Sequence, residues 1–247
     1  MNEDGKGRVA IVTGAAGTMG FAAAKRLAAD NYKVALLDVA ADRLQAAAKE
    51  LKGSLAITAD IAQAEKIGAL VSEVEQKLGP VSVLVNNAGI LSNNKSAETT
   101  PEEWRRVMGV NLDAAFYLAR AVLPGMKQRK YGRIVNVCSL SMKSGGLTAG
   151  TAYTTSKGAM GALTFSLARE AAAFGVTVNG IAPAYVKTPM VTEQLTEAQR
   201  QALLAQIPVG RFCEPEEFAH CVAFLVSPMS GFITGEILDI NGGLHFD

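Results

Sequence analysis

Short apolar runs alternate along the chain with longer stretches whose apolar residues recur at helical spacing. Runs at 8–12, 34–39, 55–60, 81–85, 132–139, 177–181 and 236–240 read as strands. Between them lie helical patterns. Ala24, Leu27 and Ala28 share one side of the first, 42–52 forms the second, and a third ends near Leu78, where Gly79-Pro80 stops it. Thr99 or Thr100 caps the next, with Pro101, Glu102 and Glu103 in its first turn, as a proline and acids suit a helix start. This helix carries Trp104, Val107, Met108, Leu112, Phe116 and Leu118, with Asn111 as a polar side chain inside the apolar run. Further helices are expected from Tyr153 onward, over 196–206 and over 215–226. Near-continuous apolar strands separated by helices indicate a parallel sheet covered on both faces.

The connections carry the chemistry. The first strand runs into Thr13-Gly14-Ala15-Ala16-Gly17-Thr18-Met19-Gly20 and then a helix. In that setting glycines let the backbone approach a pyrophosphate, and the helix N-terminus offers it unpaired N–H groups. Asp38 ends the second strand, about twenty residues on. A carboxylate there accepts hydrogen bonds from both adenosine ribose hydroxyls and repels a 2′-phosphate, which points to NAD; the same residue also suits a strand-end turn. Asp60, followed by Ile61, suits either an adenine edge or a helix cap. Asn86-Asn87-Ala88-Gly89 ends the fourth strand, where small and amide residues suit a closely approaching cofactor or an ordinary turn. Asn111 is either a helix breaker or a partner for a site water, because a buried amide needs partners. The expectation is an α/β chain with a Rossmann-type doubly wound fold and a mostly parallel seven-stranded sheet. It forms a single domain over 1–247, with 185–210 as a substrate lid inside it.

Tyr153 and Lys157 lie four residues apart, on one face of a helix. A phenol has a reference pKa near ~10, and a neighbouring cation favours the phenolate, so this pair suits proton transfer. Ser139 ends the fifth strand, at the carboxyl edge where open α/β sheets bind ligands.

Charge and composition narrow the partners. The 24 basic and 23 acidic residues leave a formal charge of +1, with no basic footprint for nucleic acid. Three cysteines without a Cys-x-x-Cys pair and two histidines argue against a disulfide framework or a metal site. No stretch reads as a membrane span, and Met-Asn-Glu-Asp-Gly-Lys is too polar for a signal peptide. A cytoplasmic protein acting on a small molecule is expected.

Taken in order, these motifs resemble the classical short-chain dehydrogenase/reductase family over essentially the whole chain, to Asn241-Gly242-Gly243. The resemblance implies that Tyr153 is the general acid/base and that Ser139 hydrogen-bonds the substrate oxygen. Lys157 would hold the nicotinamide ribose and lower the Tyr153 pKa, and Asn111 would anchor a proton-relaying water chain. Cofactor contacts are expected at Gly14, Gly17, Thr18, Met19, Gly20, Asp38, Asp60, Ile61, Asn87, Ala88, Gly89, Tyr153, Lys157, Pro183, Val186 and Thr188. Three features depart from the family pattern. Thr18 stands where glycine is usual, with Gly17 one earlier; Ala184 follows Pro183 in place of glycine; and fourteen residues rather than thirteen separate Ser139 from Tyr153. Ser141 is the alternative for the serine role, and Cys138 reads as a buried strand residue.

The substrate is less legible. Leu91, Asn93, Asn94, Met142, Lys143, Leu147, Tyr185, Lys187 and Met190 mix apolar and polar character around the expected site. A small alcohol, polyol or sugar oxidised with NAD is the first reading. The alternative is a 3-oxoacyl-thioester reductase, since the chain resembles the bacterial carrier-protein reductases in outline; those typically use NADPH, which Asp38 argues against. A non-catalytic NAD-binding regulator is a third reading. The family is commonly tetrameric. Ala162, Phe165, Leu167 and Ala171 on the Tyr153 helix, and the segment 233–247, are candidate interface residues.

Overall fold

The computed structural model describes residues 5–189 and 196–246. Seven strands form one sheet: β1 (Val9–Thr13), β2 (Lys33–Asp38), β3 (Leu55–Thr58), β4 (Val81–Asn86), β5 (Gly132–Val137), β6 (Val176–Pro183) and β7 (Ile237–Ile240). Their order is β3-β2-β1-β4-β5-β6-β7, and every pairing is parallel. The helices are α1 (Thr18–Ala29), α2 (Ala41–Glu50), α3 (Ala64–Leu78), α4 (Pro101–Met108), α5 (Ala114–Gln128), α6 (Ser141–Ser144), α7 (Thr151–Ala171), α8 (Glu197–Leu204) and α9 (Pro215–Val226).

Alternation along each strand sends side chains to two cores. Val9, Ile11, Leu37, Leu84 and Ile134 pack with α3, α5 and the end of α7. Ala10, Val12, Leu36, Val85 and Val135 pack with α1, α2 and α9, around the fully buried Phe218. Both faces of the sheet are therefore covered, as the apolar runs predict. From β1 the chain winds outward to β2 and β3; from β4 it winds the other way to β5, β6 and β7. The reversal opens a crevice at the carboxyl ends of β1 and β4.

Four differences from the sequence reading have physical causes. The helix expected from Thr99 onward is broken by a wide, π-type turn over Gly109–Asp113, centred on the buried Asn111. Leu167 and Ala171 are buried in the subunit's own core, because they face β5 and β6; Ala162 and Phe165 stay exposed. Val39 lies outside β2 and is exposed. The connection after β5, read as a loop, contains α6. Of the expected lid, the structure shows α8, closed by a reciprocal cap between Thr196 and Gln199; residues 190–195, with Met190, lie outside the described residues. No helix among the described residues is long and apolar enough to cross a membrane.

Candidate active site

The crevice between β1 and β4 is built by two polar residues that face each other across it. The Thr13 hydroxyl accepts the backbone N–H groups of Asn87 and Ala88, each at 3.0 Å. The Asn87 side-chain amide donates back to the carbonyls of Thr13 (2.9 Å) and Gly14 (3.3 Å). Gly14 has φ +64°, a left-handed conformation that favours glycine. A methyl group added to Gly14 would meet Ala88 Cα at 2.9 Å, so the glycine turn rests directly on the Asn-Asn-Ala-Gly segment. Gly17, at φ −87°, precedes α1 without any side-chain cap, and Thr18 is the first residue of the helix. An uncapped helix start beside a close-fitting glycine turn suits a diphosphate.

Asp38 stands at the end of β2 with Oδ2 accepting the Ala16 N–H at 3.0 Å and Oδ1 accepting the Ala40 N–H at 2.9 Å. The carboxylate is thus fixed against the glycine turn and keeps further lone pairs for a ribose. Asp60 is exposed and caps its own turn, accepting from Ala62 N and Gln63 Nε2. Ile61 is buried beside it. These groups fit the adenosine half of a dinucleotide.

At the other side of the crevice, Lys157 is buried and donates to the Val137 carbonyl at 2.6 Å, fastening α7 to the end of β5. Its ammonium lies 5.7 Å from the centre of the half-buried Tyr153 ring. A methyl group on Gly89 would sit 3.5 Å from Lys157 Nζ and 3.4 Å from Asn111 Oδ1, so the end of the β4 motif, Asn111 and Lys157 converge. Ser139 follows Val137 by two residues, and its oxygen accepts the Ser141 N–H at 3.1 Å. The Ser139 hydroxyl hydrogen therefore remains to be donated outward. Ser141 Oγ is buried without a partner.

Both amide hydrogens of Asn111 are engaged. Oδ1 accepts Ile90 N–H at 2.8 Å, and Nδ2 donates to the Ile90 carbonyl at 3.1 Å and to Ser156 Oγ at 3.0 Å. The amide has no hydrogen left for water. The connection from Ser139 to Tyr153 runs through α6 and turns at Gly145 and Gly146, with φ +75° and +73°. Pro183 ends β6 with its carbonyl held by Leu140 N–H, Ala184 N–H donates to the Ile240 carbonyl, and Val186 is buried in a bridge with Cys213. Thr188 follows on the same segment.

Two residues expected to face substrate are used differently. Lys143 pairs with Asp239 of β7 at 2.7 Å, and Asn94 donates to Glu103 at 2.8 Å. In each case a carboxylate from a distant element has claimed the donor. Asn86 turns inward, bonding Asn136 at 2.8 Å, which in turn bonds Thr164 of α7 at 2.9 Å. A cleft of ≈ 620 Å³ lies further along the carboxyl edge, lined in part by Tyr185, Val209, Arg211, His220 and Asn241, but by none of Ser139, Tyr153 and Lys157. The convergence of Gly89, Asn111, Tyr153 and Lys157, rather than the size of this cleft, marks the candidate site.

Cys138 is buried, and that burial pushes its thiol up to about 11; burial raises Cys213 likewise to about 11. Because the thiolate is the reactive form, alkylation of folded protein at pH 8 is expected to be slow at both and fast after unfolding. A thiol raised above its ordinary value of 9.0 favours the folded state less as pH climbs from about 9 to about 11. Peptide mass spectrometry after iodoacetamide checks the first point; rapid labelling of Cys138 in folded protein would contradict it.

Comparison with known proteins completes the picture. A family model described as enoyl-(acyl carrier protein) reductase matches residues 14–245. An acetoacetyl-CoA reductase of Rhizobium meliloti (strain 1021) is 39% identical over 239 residues, covering 97% of this chain and 99% of that protein. A 3-oxoacyl-[acyl-carrier-protein] reductase FabG of Vibrio cholerae is 40% identical over 242 residues, covering 97% and 98%. The protein of the same name from Escherichia coli K12 is 37% identical over 246 residues.

Proposed function

Since the chain belongs to the classical short-chain dehydrogenase/reductase family, whose members bind a nicotinamide cofactor, we propose that it reduces the ketone of a 3-oxoacyl thioester to the 3-hydroxy compound with NADH. The small-alcohol or polyol reading gives way to the thioester. What supports this is full-length similarity to relatives named for acetoacetyl-CoA and 3-oxoacyl-carrier-protein reduction.

The reaction class rests on one observation: Lys157 ties the Tyr153 helix to the end of the strand that presents Ser139. The glycine turn, Asp38 and Lys157 would hold a reduced nicotinamide cofactor, which would supply the hydride for the carbonyl carbon. Ser139 donates its free hydrogen to the carbonyl oxygen and orients it. Tyr153 gives its phenolic proton to that oxygen as negative charge develops there. Lys157 holds its ammonium 5.7 Å from the ring centre, and a proton from solvent restores the phenol. Asn111 holds Ile90 and Ser156 with both of its amide hydrogens, so its side chain positions these elements rather than donating to a water.

Asp38 supports NADH over NADPH, since its fixed carboxylate would face the 2′-phosphate. Replacing Asp38 by Ser is expected to raise kcat/KM with NADPH relative to NADH by at least about tenfold, because a like-charge contact costs several kcal/mol. An unchanged ratio would remove Asp38 from cofactor choice. Asp38 is also the feature that keeps NAD-linked oxidation of a small alcohol as the second reading. A homotetramer is proposed as the assembly, with the exposed Ala162 and Phe165 of α7 and the segment 233–247, which carries the exposed Phe246, as candidate contacts; scattering in solution reads the mass directly.

The deciding experiment offers acetoacetyl-CoA, an acetoacetyl carrier-protein thioester, an enoyl thioester and a panel of polyols, each with both nicotinamide cofactors. NADH-linked turnover of the 3-oxo thioesters supports the proposal. Turnover confined to polyols with NAD, or to the enoyl thioester, replaces it.

A further inference from the structure

The segment 90–95, which follows the β4 motif, is held at both ends and in turn holds the start of α7. Asn111 grips Ile90 through both its N–H and its carbonyl. Glu103 of α4 accepts from the Ser92 hydroxyl and from Asn94 Nδ2. These two donors, Ser92 foremost, hold the Glu103 carboxyl below the usual carboxylate range, so it is ionised at neutral pH.

The other side of the segment faces α7. Gly150 N–H donates to the Ser92 carbonyl at 2.7 Å, and Thr151 N–H donates to the Asn94 carbonyl at 3.0 Å. Gly150 precedes α7 and offers no side-chain cap; this segment satisfies two N–H groups at the helix start that have no partner within the helix. The fit is close. A methyl group on Gly150 would lie 2.8 Å from both Asn94 N and Ser92 O, and nearer still to Asn94 O.

One cation closes this arrangement. Lys95 Nζ donates to the carbonyls of Gly146 and Ala149, each at 2.7 Å and partly buried. Gly146 turns here at φ +73°, a conformation that glycine adopts readily, and the Thr154 hydroxyl beside it is buried without a partner. Tyr153 stands in the first turn of α7, four residues beyond Ala149.

We propose that Lys95 is a positioning residue: its ammonium clamps the 146–149 turn and so fixes the first turn of α7, and Tyr153 with it, relative to the cofactor-facing end of β4. The proposal rests on Tyr153 as the proton donor in ketone reduction. Lys95 touches neither substrate nor cofactor in this role. It acts by setting where the phenol stands, and displacements of about 1 Å can cost roughly a hundredfold in rate.

The test compares Lys95→Met and Lys95→Arg in the full chain. Three readouts are taken: hydrogen exchange of peptides spanning 145–155, NADH affinity by fluorescence, and kcat and KM for acetoacetyl-CoA. For Lys95→Met, exchange over 145–155 is expected to rise and kcat to fall about tenfold or more, with NADH affinity within about twofold of the parent. Lys95→Arg, whose fork can still reach two carbonyls, should recover most of both. Unchanged exchange in Lys95→Met overturns the clamp. Raised exchange with unchanged kcat overturns its link to Tyr153. If Lys95→Met does not fold, Glu103→Gln serves: it loosens Ser92 and Asn94 from the other side, and the same peptides should exchange faster; no change would again overturn the clamp. A parent protein inactive on every thioester would refute the proposed reaction, whereas the exchange readout would still judge the clamp.

Discussion

Replacing Tyr153 by Phe is expected to lower kcat for 3-oxoacyl thioester reduction by about 10²–10⁴, the range that a positioned general acid contributes. The substitution removes only the phenolic oxygen. The ring keeps its place near Lys157 Nζ, 5.7 Å from the ring centre, and Lys157 keeps its bond to the Val137 carbonyl. Melting temperature should therefore stay close to that of the parent, and cofactor affinity should change little beside kcat. Steady-state kinetics with a cofactor titration and a thermal melt separate these quantities. A Phe variant retaining more than about a tenth of the parent kcat would mean that the proton comes from another group. The obvious candidate would then be Ser139, whose hydrogen is free while its oxygen accepts from Ser141.

Gly20→Ala is expected to damage cofactor binding and stability together. A methyl group at Gly20 would lie 2.6 Å from Asn87 Nδ2 and 2.9 Å from the Gly14 carbonyl carbon, and closer still to the Gly14 oxygen. Neither neighbour can yield cheaply. The Asn87 amide is held by the Thr13 and Gly14 carbonyls, and Gly14 is set at φ +64°. The methyl must push α1 away from the turn, spoiling the alignment of its first N–H groups. Overpacking of this kind costs about 1–3 kcal/mol, and loss of that alignment should weaken NADH binding about tenfold or more. Gly17→Ala is the contrast. Its added methyl would lie 3.3 Å from the Gly14 carbonyl oxygen, with φ −87° already ordinary, so a much milder effect on both is expected. NADH titrations and melts of the two variants provide the comparison. Equal effects would show that the turn tolerates a methyl wherever it is placed.

By itself the chain's apolar periodicity determined seven strands and the longer helices between them, though not α6, because both are local patterns that burial enforces residue by residue. It also marked the glycine turn after β1, Asp38 at the end of β2, and the Tyr153–Lys157 pair, since each is a short spacing with a stated chemical use. Where the partner lies far away in sequence, local pattern is silent. Asn111 was visible as an odd polar residue, but its π-type turn and its grip on Ile90 and Ser156 join positions 21 and 45 apart. Leu167 and Ala171 have the same apolar character whether they meet another subunit or β5 and β6; only packing placed them inside. Lys95 lies in the loop after β4, where local pattern names no partner for it. Its two carbonyl partners, 51 and 54 residues on, became neighbours only when the sheet order set the end of β4 beside the start of α7. Tertiary structure decided these contacts because a hydrogen bond depends on distance in space, and periodicity records only distance along the chain.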